Sequence, residues 1–283
     1  MRDADLRTNP DAVVGAHPPT IGLHRVNGTT LYAEVRGSGP VVLLIPGGAE
    51  DAEGWRAVAE RLPGRTVVTY DRRGTLRSGR EDWPGRGSAQ HADDAAELTR
   101  ELGLGDVVVF GGSSAGVIAV QLAIRHPTLV RRALVYEPGY LRATQPAMDL
   151  RSLVLAAAAA HLRTHPGDWA GAYRALARAV GPTAGSVTAP SDRDWYGQRE
   201  ELNAEAMVRD DIPILTAEGV DEALLAATPV DLRFSYGSET NAIFRDIAVR
   251  LAAVRGEVPE VIDGVGHAIY LHPDAAAAYL GQR

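Results

Sequence analysis

Short apolar runs alternate with amphipathic stretches along the first half of the chain. Candidate strands cover Leu31–Val35, Val41–Ile45, Thr66–Tyr70, Val107–Phe110 and Arg132–Tyr136, with helical patterns near 52–62, 90–102 and 115–126. Such alternation predicts a parallel sheet flanked by helices, an α/β fold. From Gly139 to about Thr228 the strand pattern stops, and alanine-rich helical patterns occupy 147–164, 168–180 and 194–209. Gly181–Pro190, with two prolines and two glycines, breaks that run. Strands resume at Asp231–Tyr236 and Val258–Ile262, with a helix near 241–254 between them and another at Asp274–Leu280. The expected organisation is a flexible leader over 1–20, a core built from 21–138 and 229–283, and a helical cap or lid over 139–228.

Composition narrows the class. At 283 residues the chain is long for one core, but α/β folds reach this length as a unit. The most apolar stretch, LVLAAAAA at 153–160, is too short for a membrane span and sits between Arg151 and Arg163. The first twenty residues are polar and broken by prolines, without the apolar segment of a secretory signal, so a cytoplasmic location is expected. The absence of cysteine excludes disulfides, thiol catalysis and thiolate metal sites. A net charge of −7 argues against general nucleic-acid binding.

The candidate chemistry centres on residues 105–126, GDVVVFGGSSAGVIAVQLAIRH, which read as a buried strand, a glycine-tight turn and a helix. A strained strand-to-helix turn can lift a serine hydroxyl clear of a sheet, where a base can activate it. Two serines fit. Gly112-Ser113-Ser114-Ala115-Gly116 matches G-x-S-x-G and names Ser114; one step back, Gly111-Gly112-Ser113-Ser114-Ala115 names Ser113, with alanine in place of the second glycine. Past the last strand comes Gly264-Val265-Gly266-His267, then His272-Pro273. A histidine on a short glycine-flanked loop can serve as general base to a serine. A carboxylate must then hold the imidazole tautomer. Glu137 follows the strand ending at Tyr136 and is fixed by Pro138, while Glu239 follows the strand ending at Tyr236. Glu137, beside the strand that bears the serine, is preferred, with Glu239 as the alternative acid.

These motifs resemble the α/β-hydrolase superfamily. There the elbow helix typically ends in Arg-His-Pro, with proline fourteen residues after the nucleophile, and counting back from Pro127 selects Ser113. The resemblance implies that Ser114 lends its backbone N–H to an oxyanion hole, and that Gly48 in Pro46-Gly47-Gly48-Ala49 lends another. Pro46 stands where the superfamily usually has histidine, and Thr240 where it usually has the acid. Pro46-Gly47-Gly48, Gly-x-Ser-Ser, Glu137-Pro138 and the final His267 together look like the zearalenone-type lactonases and related actinobacterial hydrolases, whose acid is a glutamate in this earlier place. The likeness covers about residues 21 to 280, the cap excepted.

Other features count for less. Asp71-Arg72-Arg73-Gly74, with Arg77, Ser78 and Gly79, reads as core bracing. His161 and His165 lie one helical turn apart, without an evident acidic third ligand, and read as a solvated face rather than a metal site. Trp169, Tyr173, Trp195, Tyr196 and Met207 in the cap, with Tyr140 at its entrance, are candidate pocket residues. The expected activity is serine-dependent cleavage of a carboxylic ester, a lactone above all, without cofactor or metal. The partner is then a small ester or lactone, with no nucleic acid or membrane, and a homodimer is compatible. The same triad also serves non-hydrolytic enzymes of this fold (cyclases, C–C bond-cleaving enzymes, cofactor-free haloperoxidases), and a ligand-sensing protein is a further alternative.

Overall fold

A computed structural model describes residues 9–13, 15–180 and 193–281. Eight strands form one sheet in the order β1-β2-β4-β3-β5-β6-β7-β8. They are β1 (Thr20–Val26), β2 (Thr29–Arg36), β3 (Val41–Ile45), β4 (Thr66–Tyr70), β5 (Val107–Gly112), β6 (Val130–Tyr136), β7 (Asp231–Gly237) and β8 (Glu260–Ile262). The pairs β1–β2 and β2–β4 run antiparallel, and every other neighbouring pair is parallel.

The central strands are apolar on both faces because both faces are covered, as a parallel sheet requires. Leu43, Ile45, Val107, Val109, Ala133 and Val135 share one core with α2 (Ser88–Glu101), α3 (Ser114–Arg125) and α9 (Ala242–Val254). Their neighbours Val42, Leu44, Val108, Phe110, Leu134 and Tyr136 turn to the other face, against α1 (Arg56–Ala59) and α10 (Pro273–Gly281). This strict alternation follows from the two-residue repeat of a strand.

The cap interrupts the chain between β6 and β7. It contains α4 (Gln145–Thr164), α5 (Trp169–Val180), α6 (Arg193–Leu202), α7 (Ala204–Ala206), a π-turn over Met207–Asp211, a 3₁₀ turn at Leu215–Ala217 and α8 (Glu222–Ala227). Val154, Ala158, Ala172, Leu176 and Ile212 give it a small core of its own. The cap is clamped to the sheet through buried charge. Asp51, in the loop after β3, pairs with Arg199 of α6 at 2.9 Å and accepts from Asn203 Nδ2 at 2.9 Å. The bracing expected of the 71–79 loop takes the form of a two-pronged Arg73–Asp94 pair at 2.7 and 2.8 Å and an Arg77–Asp71 pair at 2.6 Å.

Several elements differ from the sequence reading. The edge strand β1 was not among the expected strands; its apolar residues are split between its faces, Ile21 and Leu23 exposed on one and Val26 buried on the other. The helix expected near 52–62 is a single turn, and that expected over 194–209 breaks into α6, α7 and the π-turn. The leader is not wholly loose: Asn9 is buried and donates to the Glu53 carbonyl at 3.1 Å, and Asp11 accepts from the Tyr196 hydroxyl at 2.9 Å. Residues 1–8 of that leader, and the break at 181–190, lie outside the described residues. No helix among the described residues is long and apolar enough to cross a membrane.

Candidate active site

Ser113 sits between the last residue of β5 and the first of α3, with φ 53° and ψ −127°. A non-glycine residue reaches this region only when its surroundings over-determine it. Here they do: the Ser113 amide donates to the Tyr136 carbonyl at 3.1 Å, and its own carbonyl accepts from Gly139 at 2.7 Å and Gly116 at 3.0 Å. The glycines permit the close approach. A Cβ on Gly111 would lie 2.3 Å from the Ala115 carbonyl, and one on Gly116 would lie 3.0 Å from Pro138 Cα. Ser114 occupies the first turn of α3, where the backbone amide has no carbonyl one turn earlier to accept it. Its side chain is buried, whereas Ser113 is partly open.

Glu137 is fully buried immediately after β6, at φ 42°. Its Oε2 lies 2.7 Å from His267 Nδ1 and accepts from Thr240 Oγ1 at 2.8 Å, and its Oε1 accepts from the Gly237 amide at 2.9 Å. Burial pushes this carboxyl up, but the hydrogen bond and charge of His267, with the Gly237 and Thr240 donors, outweigh it and hold Glu137 below the usual range. An ionised carboxylate can only accept, so Nδ1 carries the proton between them, and in the neutral imidazole Nε2 is left as an acceptor. Glu239, by contrast, is exposed, and its amide merely donates to the Val265 carbonyl at 3.0 Å. Thr240, which carries no charge, serves as a donor to Glu137.

The imidazole is held in two further ways that the sequence did not disclose. Phe244, in the first turn of α9, stacks on it with centroids 3.9 Å apart and planes at 21°. The Tyr136 hydroxyl donates to the Gly266 carbonyl at 2.5 Å, pinning the loop just before the histidine. Ser113 and His267 face one cavity. They are not hydrogen-bonded to each other here, and such contacts often tighten only with substrate bound.

Gly48 lines the same cavity, and a Cβ there would lie 2.5 Å from Met207 Sδ of the π-turn. That turn aims two consecutive acids inward. Asp210 pairs with His91 Nε2 at 2.8 Å, and Asp211 Oδ1 accepts from Arg72 at 2.8 Å and from Ser114 Oγ at 2.7 Å. Arg72 also donates to the Gly47 carbonyl at 2.9 Å. One buried pair thus ties the glycine turn after β3, the start of α3 and the cap together. Asp211→Ala would strand the Arg72 guanidinium, and the expected loss is about 3–5 kcal/mol. Urea unfolding reads it, and an unchanged midpoint would refute the clamp.

The cavity holds about 350 Å³ and is walled largely by apolar side chains, among them Leu141, Leu150, Val154, Leu176, Ile212 and Phe244. Among the candidate pocket residues, Tyr173 and Met207 line it, while Trp169, Trp195, Tyr196 and Tyr140 do not. Trp195 and Tyr196 are drawn into the core beneath α6, where Tyr196 packs 5.8 Å from Tyr270, and Tyr140 is buried in the opposite core. Large aromatic faces gain more from that burial than from a solvent-filled wall. His161 and His165 stack at 4.7 Å, and Asp168, not picked out as an acidic neighbour, lies 2.7 Å from His161 Nε2. No group of three His, Asp or Glu among the described residues is arranged to hold a metal.

Comparison with known proteins bears on the fold. The family described as "alpha/beta hydrolase fold" matches residues 40–213. The uncharacterized hydrolase YraK of Bacillus subtilis is 42% identical over 123 residues, 43% of this chain and 45% of that protein. The chain spans about half the length of the first curated relatives it matches. A solved α/β hydrolase from Sphaerobacter thermophilus superposes with a TM-score of 0.69 at 25% identity, over 92% of this chain and 99% of that one. Est816, an N-acyl homoserine lactone degrading enzyme, shares the fold with a TM-score of 0.70 at 19% identity, over 92% of this chain and 98% of its own. The chain belongs to the α/β-hydrolase family.

Proposed function

We propose that the chain hydrolyses a carboxylic ester, a lactone in particular, through Ser113, His267 and Glu137. The observation that carries this reading is the buried Glu137–His267 contact of 2.7 Å, opening on the cavity that also exposes the strained Ser113. His267 Nε2 takes the Ser113 proton as Oγ bonds to the substrate carbonyl carbon. Glu137 stabilises the imidazolium, and the Gly48 and Ser114 amides donate hydrogen bonds to the carbonyl oxygen as charge develops on it. Collapse breaks the acyl–oxygen bond, and the proton on His267 passes to the departing alkoxide. In a lactone that alkoxide stays tethered to the acyl group. Water, deprotonated by His267, then attacks the acyl-enzyme and frees the acid. The glutamate after β6 and the apolar cavity support a lactone over a small polar ester.

A serine-directed fluorophosphonate probe, combined with a panel of macrolactones, small lactones and aryl esters, tests this. The expected result is a single covalent adduct on Ser113 and turnover of at least one ester class. A folded protein that neither reacts with the probe nor cleaves any ester would overturn the reading.

A further inference from the structure

The cavity wall carries two carboxyl groups that the triad does not use. Glu200 of α6 and Glu50, two residues after Gly48, both line it. Glu200 Oε1 accepts from the Tyr270 hydroxyl at 2.7 Å and Oε2 from the Tyr173 hydroxyl at 2.6 Å. Burial, then the charge of Glu200, hold both phenols well above their ordinary range, so they stay protonated and donate. Glu50 Oε2 accepts from the Gly47 amide at 2.7 Å and from Trp55 Nε1 at 2.8 Å. Its other oxygen, Oε1, has no hydrogen-bond partner among the described residues. That free oxygen lies beside the elbow: a Cβ on Gly47 would stand 3.1 Å from it and 3.2 Å from the Gly112 carbonyl.

Among the described residues, neither acid forms an ion pair with a basic side chain. The chain has no lysine, and the cavity wall includes no arginine among the described residues. The two nearby guanidiniums are engaged elsewhere, Arg72 by Asp211 and the Gly47 carbonyl, Arg199 by Asp51. We propose that Glu50 and Glu200 form a subsite for an ammonium group on the substrate, carried within a few bonds of the ester carbonyl. A cation there would bond the unpartnered Glu50 Oε1 and offset the repulsion between the two acids. A hydroxyl could do only the first. In an otherwise apolar enclosure such a charge pair is little screened.

The environment of Glu50 fits a wall waiting for a cation. Its carboxyl is pushed up to about 7: burial raises it most, the Gly47 and Trp55 donors offset part of that, the charge of Glu200 adds to it, and Arg72 opposes it. Glu200 on α6, Tyr173 on α5, Arg72 after β4 and Tyr270 on the last loop interact with it electrostatically, and His267 lines the same cavity. Ammonium binding favours the ionised form, so uptake of an amine near pH 7 should release protons from Glu50.

The subsite rests on the ester-hydrolase reading for its consequence in turnover, and the test separates the two. Benzyl 3-aminopropanoate and benzyl butanoate differ by an ammonium in place of a methyl group. The expected kcat/KM preference for the amino ester is about 10- to 100-fold, the worth of a hydrogen bond to a charged group. Glu200→Gln and Glu50→Gln should each pull that ratio toward one. Calorimetric binding of 3-phenylpropylamine against 3-phenylpropanol to the wild-type protein needs no turnover and no variant. Tighter binding of the amine, with proton release, supports the subsite even if neither ester is cleaved, in which case the hydrolase reading alone fails. Equal binding of amine and alcohol, or equal cleavage of the two esters, overturns the subsite and leaves the hydrolase reading intact.

Discussion

Ser113→Ala should abolish turnover, with a fall in kcat of about 10⁶-fold, the size seen when a triad nucleophile is removed. Ser114→Ala should remain an enzyme. The two serines are adjacent, but the structure gives them different work. Ser113 lies at φ 53° on the elbow and opens to the cavity, whereas the Ser114 side chain is buried and donates to Asp211 at 2.7 Å. Removing the Ser114 hydroxyl leaves its amide at the start of α3. The loss is one hydrogen bond to a charged group, about 1.5–3 kcal/mol of stability rather than the nucleophile. Steady-state kinetics on both variants, together with urea midpoints, separates the roles. If Ser114→Ala were inactive while Ser113→Ala still turned over, the nucleophile would be the second serine.

Glu137→Gln should lower kcat by about 10⁴-fold, in line with the loss when a triad acid becomes an amide. Glu239→Gln should be nearly silent. The surroundings of Glu137 explain why so small a change costs so much. The carboxylate accepts on both sides, from Gly237 and from Thr240 and His267. A glutamine has one accepting oxygen, so its NH₂ must face a donor whichever way it turns. Facing His267, it favours the tautomer that cannot take the Ser113 proton. Facing Gly237, it leaves an amide unanswered in a buried place, and in both cases the charge that stabilises the imidazolium is gone. Because the effect falls on the chemical step, KM should move less than kcat, provided chemistry limits turnover. Circular dichroism checks folding. A crippled Glu239→Gln beside a healthy Glu137→Gln would move the acid to the later strand and remove the main support for a lactone substrate.

The parts of this protein written in contiguous residues could be read without coordinates. Strand, glycine turn, helix and terminal proline are local: they follow from apolar periodicity, from φ and Cβ restrictions at Gly111 and Ser113, and from the missing amide of Pro127. The parallel core strands were legible for the same reason, since both faces are buried and the runs are unbroken. The edge strand β1 was not, because its apolar residues Ile21, Leu23 and Val26 do not gather on one face. The two candidate acids also divide along this line. Sequence position favoured Glu137 and kept Glu239 as the alternative, and the packing of β6 against β7 brings Glu137 to His267.

What only the tertiary structure decided lies in contacts between distant segments. Asp211 reaches Ser114 across 97 positions and Arg72 across 139, and no local pattern marks an aspartate for such a bond. Glu200 and Glu50 face one cavity because α6 is drawn onto the β3 loop by the Asp51–Arg199 pair. Trp195 and Tyr196, which helical spacing left free to face either way, went to the core instead of the cavity. A side chain's periodicity says which face of its own element it occupies. What that face meets is set by the order of strands and by where the cap folds back, and those are properties of the whole chain.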